Sequence, residues 1–128
     1  MPGDRTSSRH VKVGPVTFGN DLPMVLIAGE CQIEKRKQTF EVAEELTKIA
    51  DEFGIGLVYK SSFDKANRTS IKTNRGVGMR EGLEILAEVR KEYGCPVLTD
   101  VHEPDQCDPT AEKVDILQIP AFLCRQTD

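Results

Sequence analysis

Residues 37–60, KQTFEVAEELTKIADEFGIGLVYK, carry the pattern that decides the fold. From about Lys37 to Phe53 the apolar residues recur every three or four positions, which predicts an amphipathic helix that Gly54 ends. The inward stripe of this helix is predicted to be Phe40, Ala43, Leu46, Ile49, Ala50 and Phe53. The apolar run 55–60 follows at once and has the length of a buried strand. A helix that leads directly into a buried strand is typical of α/β proteins.

The same alternation continues on both sides of this stretch. Three more apolar runs have the length of strands, namely residues 24–28, 96–101 and 115–120. The first of these is expected to be covered on both faces. A second helix is predicted over residues 78–93, with Gly94 past its end, whereas residues 104–112 allow only a short turn on either side of Pro109. Residues 11–21 alternate around a Gly-Pro pair and predict a β-hairpin.

Strands joined by helices form a parallel sheet through right-handed crossovers, and the carboxyl ends of its strands share one edge. A closed (β/α)8 barrel typically needs about 250 residues, whereas this sequence has 128. Either the sheet is open or the chain is half a barrel, and an end at Asp128 without a helix after strand four favours the half. We therefore predict an α/β fold: a flexible N-terminus over residues 1–10, then the N-terminal portion of a single (β/α)8 barrel over residues 11–128, incomplete at its C-terminus.

Composition argues against several classes of protein. The net charge is −4, with 30% charged and 38% hydrophobic residues, so a binder of nucleic acid or of a membrane surface is not expected. The longest apolar run, residues 24–28, is too short to span a membrane, and no signal peptide precedes it, which favours a cytoplasmic protein. The four cysteines form no CxxC or CxxH pair, so neither a zinc ribbon nor a disulfide framework is indicated.

Residues 60–70, KSSFDKANRTS, place many polar side chains after the second strand. A period of two would direct Lys60, Ser62 and Asp64 to one face while Phe63 packs on the other. Two lysines, one arginine and several hydroxyl groups suit one or two anionic, polyhydroxylated small molecules. A solvated loop, whose Ser, Asn and Asp side chains satisfy their own backbone, fits the composition equally well. The sequence has no P-loop or GxGxxG, so a nucleotide site has no support.

Several motifs in one order carry a family resemblance: VLIAGECQIE at 25–34, KSSFDKANRTS at 60–70, RGVG at 75–78, TDVHE at 99–103 and QIPAFLCRQTD at 118–128. Together they closely resemble the 3-deoxy-D-manno-octulosonate 8-phosphate synthase family, over nearly the whole chain after about residue 10. The resemblance implies a homotetrameric (β/α)8 barrel that condenses phosphoenolpyruvate with arabinose 5-phosphate and releases phosphate. That reaction lies on the route to lipopolysaccharide.

The resemblance also implies site residues. Those for phosphoenolpyruvate are Lys60, Ser62 and Gln118. Those for arabinose 5-phosphate are Asn67, Arg68, Thr69 and Asp100. Lys65 is placed between the two substrates, and His102 in the barrel lumen near the reacting centre. Phe122 and Arg125 are implied to reach a neighbouring subunit's active site, although on their own they would be interpreted as a core phenylalanine and a capping arginine.

Cys31 is the implied metal ligand. Family members with Cys at this position are metal-dependent, so the resemblance implies a divalent ion such as zinc, iron or manganese. The other ligands, a His, a Glu and an Asp, are expected from the second half of the barrel. Relatives commonly have Pro where this chain has Glu30, whose carboxylate could face solvent or lie near the metal. Cys95, Cys107 and Cys124 are interpreted as small buried hydrophobes.

Two other functions remain open from the sequence. A 3-deoxy-D-arabino-heptulosonate 7-phosphate synthase would share the barrel and the phosphoenolpyruvate chemistry but would take erythrose 4-phosphate. A non-catalytic half-barrel would bind phosphosugars weakly or associate with other chains, since it exposes two sheet edges. The 128-residue chain alone is expected to be inactive because the predicted remaining ligands lie in the second half.

Overall fold

The computed structural model of the chain describes residues 9–63 and 78–124, apart from the side chain of Phe122. Within these ranges the strands are β1 (Val11–Val13), β2 (Val16–Phe18), β3 (Val25–Ala28), β4 (Gly56–Lys60), β5 (Val97–Asp100) and β6 (Ile116–Gln118). The helices are α1 (Arg36–Phe53), α2 (Met79–Tyr93), α3 (Cys107–Ala111) and α4 (Ala121–Cys124), with a 3₁₀ turn over Pro104–Gln106 before α3. The predicted hairpin, strands and two long helices are thus confirmed.

The sheet has the strand order of a barrel wall. Strands β3, β4, β5 and β6 lie side by side in chain order and run parallel, while β1 and β2 form a separate antiparallel hairpin. A doubly wound sheet would reverse its strand order at a switch point, whereas a (β/α)8 barrel adds each strand next to the last. The predicted α/β class is confirmed, and the order is consistent with part of a barrel.

The two faces of the sheet pack against different layers. Leu57, Tyr59 and Val97 lie in one buried cluster with residues of α1 and α2, so they form the outer face. Val58 and Leu98 lie in a second cluster with Val16, Val25 and Ile116. The hairpin therefore covers one end of the inner face. Full burial of each large apolar side chain contributes about 1.5–3 kcal/mol to stability.

Helix α1 ends where the sequence predicts but buries a different stripe. Gly54 ends the helix with a positive φ of 67°, which glycine adopts without strain. The fully buried positions are Thr39, Ala43 and Ala50, and the predicted inward residues Ile49 and Phe53 are 41% and 69% exposed. The prediction for these two residues is wrong because the buried stripe runs along the Thr39–Ala43–Ala50 line and leaves both to one side.

Three other predictions differ from the structure. A four-residue helix, α4 (Ala121–Cys124), follows the fourth sheet strand, after which the sequence predicted no helix. The first strand is not covered on both faces, since Ile27 in β3 is 44% exposed. Within the described part of the chain, β3 is an edge strand of the sheet, so it has a neighbouring strand on one side only. Pro109 does not separate two turns; the 3₁₀ turn runs directly into α3, where Pro109 is the third residue. Proline is tolerated in the first helical turn because its missing N–H would lack an intrahelical acceptor there.

One of the described N-terminal residues, His10, contacts the turn after the hairpin. Of the predicted flexible N-terminus, residues 1–8 lie outside the described residues. His10 Nε2 lies 2.8 Å from Asp21 Oδ1, an exposed contact between the residue before β1 and the turn after β2. Among the helices that the structure describes, none is long and apolar enough to cross a membrane.

The protein should lose stability at alkaline pH. Burial raises the pKa of Cys95 above its ordinary 9.0, and burial together with the Glu30 carboxylate raises the pKa of Tyr59 above 10.0. The folded protein therefore keeps protons that the unfolded chain loses, and this stability, complete below about pH 9, declines as pH rises. Thermal unfolding followed from about pH 8 to about pH 11 should show a falling Tm. Cys95→Ala should flatten the first part of the decline; an identical slope in this variant would contradict the assignment.

Candidate active site

A polar layer continues the apolar inner face toward the carboxyl ends of the strands. Lys60 lies two positions beyond Val58, and Asp100 two positions beyond Leu98, so each points to the same face as its buried neighbour. Asp100 and Gln118 are direct partners in the β5–β6 register. All three polar residues are partly buried. The structure therefore brings Lys60, Asp100 and Gln118 to one edge of the inner face, as the sequence predicts.

Gly29 allows the chain after β3 to pass close to the backbone of Lys60. A Cβ atom at position 29 would lie 1.8 Å from the carbonyl oxygen of Lys60 and 2.8 Å from its carbonyl carbon. Real Cβ atoms do not approach backbone that closely, so only glycine allows the chain after β3 to run against Lys60. The absence of a side chain therefore places residues 30–32 beside the end of β4.

The segment after β4 is fixed by backbone hydrogen bonds to the segment after β3. The Ser62 N–H donates to the Cys31 carbonyl at 3.2 Å, and the Ile33 N–H donates to the Ser62 carbonyl at 2.8 Å. Phe63 is 1% exposed and lies in the outer core, as predicted. Ser62 is 7% exposed. These contacts hold Ser62 at the same edge as Lys60; Asp64 lies outside the described residues.

Asp100 and His102 form a polar pair after β5. His102 Nε2 lies 3.4 Å from Asp100 Oδ2, and the two side chains are 12% and 18% exposed. The second oxygen, Asp100 Oδ1, is buried and has no hydrogen-bond partner within the described ranges. An unpartnered buried acceptor of this kind suits a hydroxyl group of a bound molecule. The pair therefore supplies an acceptor next to an imidazole.

Gln106 supports this pair and was missed from the sequence. Its side-chain oxygen accepts hydrogen bonds from the backbone N–H groups of His102, at 2.8 Å, and of Glu103, at 3.2 Å. Glu103 and Gln106 form a capping box at the start of the 3₁₀ turn. The usual sequence sign of such a box is Ser, Thr, Asp or Asn followed three positions later by Glu or Gln. Because Glu103 is not one of these N-cap residues, the sequence carries only the Gln half of that sign.

Glu30 lies on the outer side of the sheet, whereas the sequence left open whether its carboxylate faces solvent or lies near the metal. Its Oε1 accepts a hydrogen bond from Thr39 Oγ1 of α1 and another from the Tyr59 hydroxyl of β4 at 3.2 Å. Thr39 and Tyr59 are both fully buried. Because the pKa of Tyr59 is raised, its hydroxyl remains protonated and able to donate at ordinary pH. The carboxylate therefore faces the helix layer.

Cys31 is an exposed thiol at the same edge. Within the part of the chain that the structure describes, no group of three or more His, Cys, Asp or Glu side chains could hold a metal ion. A thiolate is a suitable donor for zinc or iron, but one donor is not a site. The described residues thus offer at most part of a metal centre.

Several predicted site residues are not described. Lys65, Asn67, Arg68, Thr69 and Arg125 lie outside the described residues, as does the side chain of Phe122. Their assignments to substrates and to a subunit contact stay predictions. The described edge comprises Cys31, Lys60, Ser62, Asp100, His102 and Gln118.

Comparison with known proteins gives a consistent result. The model of the DAHP synthetase I family matches residues 6–128. Curated proteins from Brucella ovis, Brucella canis and Brucella suis, each named 2-dehydro-3-deoxyphosphooctonate aldolase, are 59% identical to this chain over 123 residues. The matched region covers 96% of this chain and 44% of each relative. The chain therefore spans less than half the length of these relatives.

Proposed function

Since the chain belongs to the DAHP synthetase I family, we propose that the full-length protein is a 3-deoxy-D-manno-octulosonate 8-phosphate synthase. It condenses phosphoenolpyruvate with D-arabinose 5-phosphate and water, and it releases phosphate, in lipopolysaccharide biosynthesis. The observation that carries the proposal is the polar layer of Lys60, Asp100 and Gln118 at the carboxyl edge of a barrel-ordered sheet. The Brucella relatives, whose name describes the same eight-carbon phosphorylated keto acid, support the choice of product.

The reaction requires two phosphorylated substrates in one site. The enol carbon C3 of phosphoenolpyruvate forms a bond to the aldehyde carbon of the sugar, and the aldehyde oxygen takes up a proton. Water adds to C2 and loses one proton, which gives a tetrahedral intermediate. The C2–O bond to phosphate then breaks, the new C2 hydroxyl becomes the ketone, and its proton leaves with the inorganic phosphate. Cations and fixed hydrogen-bond donors hold the two anions together and stabilise the charge that moves between oxygens.

The described residues divide between the two substrates. Lys60 offers a cation and Ser62 a hydroxyl donor at the end of β4, so we assign phosphoenolpyruvate to them together with Gln118. Asp100 Oδ1 accepts a hydrogen bond from a sugar hydroxyl, since it is a buried carboxylate oxygen at this edge with no hydrogen-bond partner within the described ranges. His102, 3.4 Å from Asp100, transfers a proton near the reacting aldehyde. The sequence predicts that Lys65 and Arg68 add positive charge to this site.

The proposal is tested by following phosphate release with the full-length protein. Release from phosphoenolpyruvate should require arabinose 5-phosphate, because the water attack accompanies carbon–carbon bond formation. Omission of the sugar is the internal control. Release at the same rate without any aldose would indicate a phosphatase, and no release with either substrate present would overturn the proposal.

Cys31 provides one thiolate of a divalent metal site in this proposal, with zinc, iron or manganese as the ion. Its exposure at the same edge as Lys60 supports this role, and the remaining donors are expected from the part of the full-length protein beyond this chain. When bound, such an ion would orient water or the aldehyde. The full-length protein is further expected to be a homotetramer, in which Phe122 and Arg125 reach a neighbouring subunit's active site, as the resemblance implies. The cytoplasmic location remains the prediction from the sequence.

Removing the thiol should remove the metal. Full-length protein with Cys31→Ser should lose most of the divalent metal that copurifies with the native protein, because thiolate ligands bind zinc and iron far more tightly than a neutral hydroxyl. Metal content per subunit, measured by plasma mass spectrometry, gives the readout without an activity assay. Cys124→Ser is the matched control, since Cys124 is also exposed and its interpretation as a small buried hydrophobe is wrong. Equal metal content in the native protein and both variants would exclude Cys31 as a ligand.

A further inference from the structure

Glu30 connects three elements behind the proposed substrate edge. It follows β3 by two residues, and its Oε1 accepts hydrogen bonds from Thr39 in the first turns of α1 and from Tyr59 in β4. Both donors are fully buried, and Tyr59 lies 29 positions from Glu30 in sequence. A partly buried carboxylate that accepts from two buried hydroxyl groups is a fixed contact, because its loss would remove the acceptor that both donors share.

The contacts of Glu30 lie directly behind residues assigned to the substrate. Tyr59 precedes Lys60 in β4, and Cys31 follows Glu30 and accepts the backbone hydrogen bond of Ser62 at 3.2 Å. Gly29 lies against the Lys60 carbonyl on the other side of Glu30. A shift of Glu30 would therefore move the backbone of residues 29–33 relative to both Lys60 and Ser62.

We propose that Glu30 is a positioning residue: its carboxylate, held by Thr39 and Tyr59, fixes the 29–33 backbone and through it the phosphoenolpyruvate groups of Lys60 and Ser62. This inference rests on the proposed function for the identity of the ligand. The claim that Glu30 fixes the backbone of residues 29–33 does not depend on the proposed function. Precise placement of binding groups depends on such supporting hydrogen bonds because small displacements weaken charged contacts steeply.

The test uses Glu30→Ala and Glu30→Gln in the full-length protein. Glu30→Ala should lower kcat/KM for phosphoenolpyruvate about tenfold, the effect of losing a hydrogen bond to a charged group, while the KM for arabinose 5-phosphate stays close to that of the native protein. Glu30→Gln keeps a carbonyl acceptor and should restore most of the loss. The double variant Thr39→Ala and Tyr59→Phe removes both donors and should reproduce Glu30→Ala. If Glu30→Ala does not fold, this double variant carries the test.

Hydrogen exchange gives a readout that needs no substrate. The backbone amides of Ile33 and Ser62 join the segment after β3 to the segment after β4. In Glu30→Ala these two amides should exchange faster than in the native protein. Asp115→Asn is the matched control. The Asp115 carboxylate accepts hydrogen bonds from the Val97 N–H at 2.9 Å and from Arg90 at 3.1 Å, at the opposite end of the sheet. It should lower stability without changing these two amides or the kinetics.

Each outcome decides the proposal. Unchanged exchange at Ile33 and Ser62, or faster exchange with unchanged phosphoenolpyruvate kinetics, would show that Glu30 does not position the substrate groups. Equal losses in kcat/KM for both substrates would show that Glu30 has a purely structural role. A native protein without activity would overturn the proposed function instead, and the exchange rates would still show whether Glu30 holds the 29–33 backbone.

Discussion

Replacing Lys60 with methionine in the full-length protein should lower kcat/KM for phosphoenolpyruvate by about a thousandfold, since loss of a partly desolvated charge partner typically costs several kcal/mol. Methionine keeps the unbranched apolar stem and removes only the ammonium group. Lys60 is the last residue of β4 and lies on the same face as Val58. Its contribution to the sheet is the backbone pairing with Leu98 of β5, so the fold does not depend on its charge. Steady-state kinetics with each substrate varied in turn measures the effect.

Lys48→Met is the control for this loss. Lys48 lies on the exposed face of α1, 3.6 Å from Glu44, and surface pairs of this kind contribute about 0–1 kcal/mol. The control should therefore leave both kinetics and stability close to those of the native protein. Native-like kcat/KM in Lys60→Met would remove Lys60 from the substrate site and with it the main cationic group among the described residues.

Gly29→Ala is expected to destabilise the fold more than any other single methyl addition considered. The added Cβ would lie 1.8 Å from the Lys60 carbonyl oxygen, and backbone in the middle of a sheet cannot move aside as a flexible side chain can. We expect a loss of about 4 kcal/mol or more in the free energy of unfolding. A small domain is stable by only about 5–15 kcal/mol, so much of the variant should unfold or aggregate. Urea unfolding followed by circular dichroism gives the value.

Gly54→Ala provides the comparison. Gly54 has a positive φ of 67° but open space around its Cβ position, so alanine there meets only backbone strain, worth about 1 kcal/mol. The contrast between the two variants separates contact with Lys60 from the general cost of replacing glycine. If Gly29→Ala were as stable as Gly54→Ala, the close approach of residues 29 and 60 would be wrong.

Periodicity in the sequence was enough to predict the sheet. Buried strands such as 55–60 consist almost wholly of apolar residues because both faces are covered, and each is followed by a helix-length segment or a turn. The parallel order and the shared polar edge follow from that alternation, and the β3–β6 sheet confirms them. Side-chain burial was less predictable. Ile49 and Phe53 have helical spacing, but only the packed structure shows that Thr39 occupies the line facing the sheet.

The candidate site also has a part that the sequence predicts and a part that it does not. The placement of Lys60 and Asp100 follows from a period of two beyond buried strand residues, whereas their roles came from the family resemblance. The Glu30, Thr39 and Tyr59 contacts could not be predicted, because they join residues 9 and 29 positions apart with no common motif. Lys65, Asn67, Arg68 and Thr69 lie outside the described residues, so their part rests on sequence alone.

The identity of the aldose tests the central claim most directly. The full-length protein should be given phosphoenolpyruvate with equal concentrations of arabinose 5-phosphate and erythrose 4-phosphate, and the phosphorylated keto acids should be separated by mass spectrometry. The eight-carbon product is expected to predominate, as the name of the Brucella relatives suggests. A predominant seven-carbon product, or no condensation product from either sugar, would contradict the proposed function.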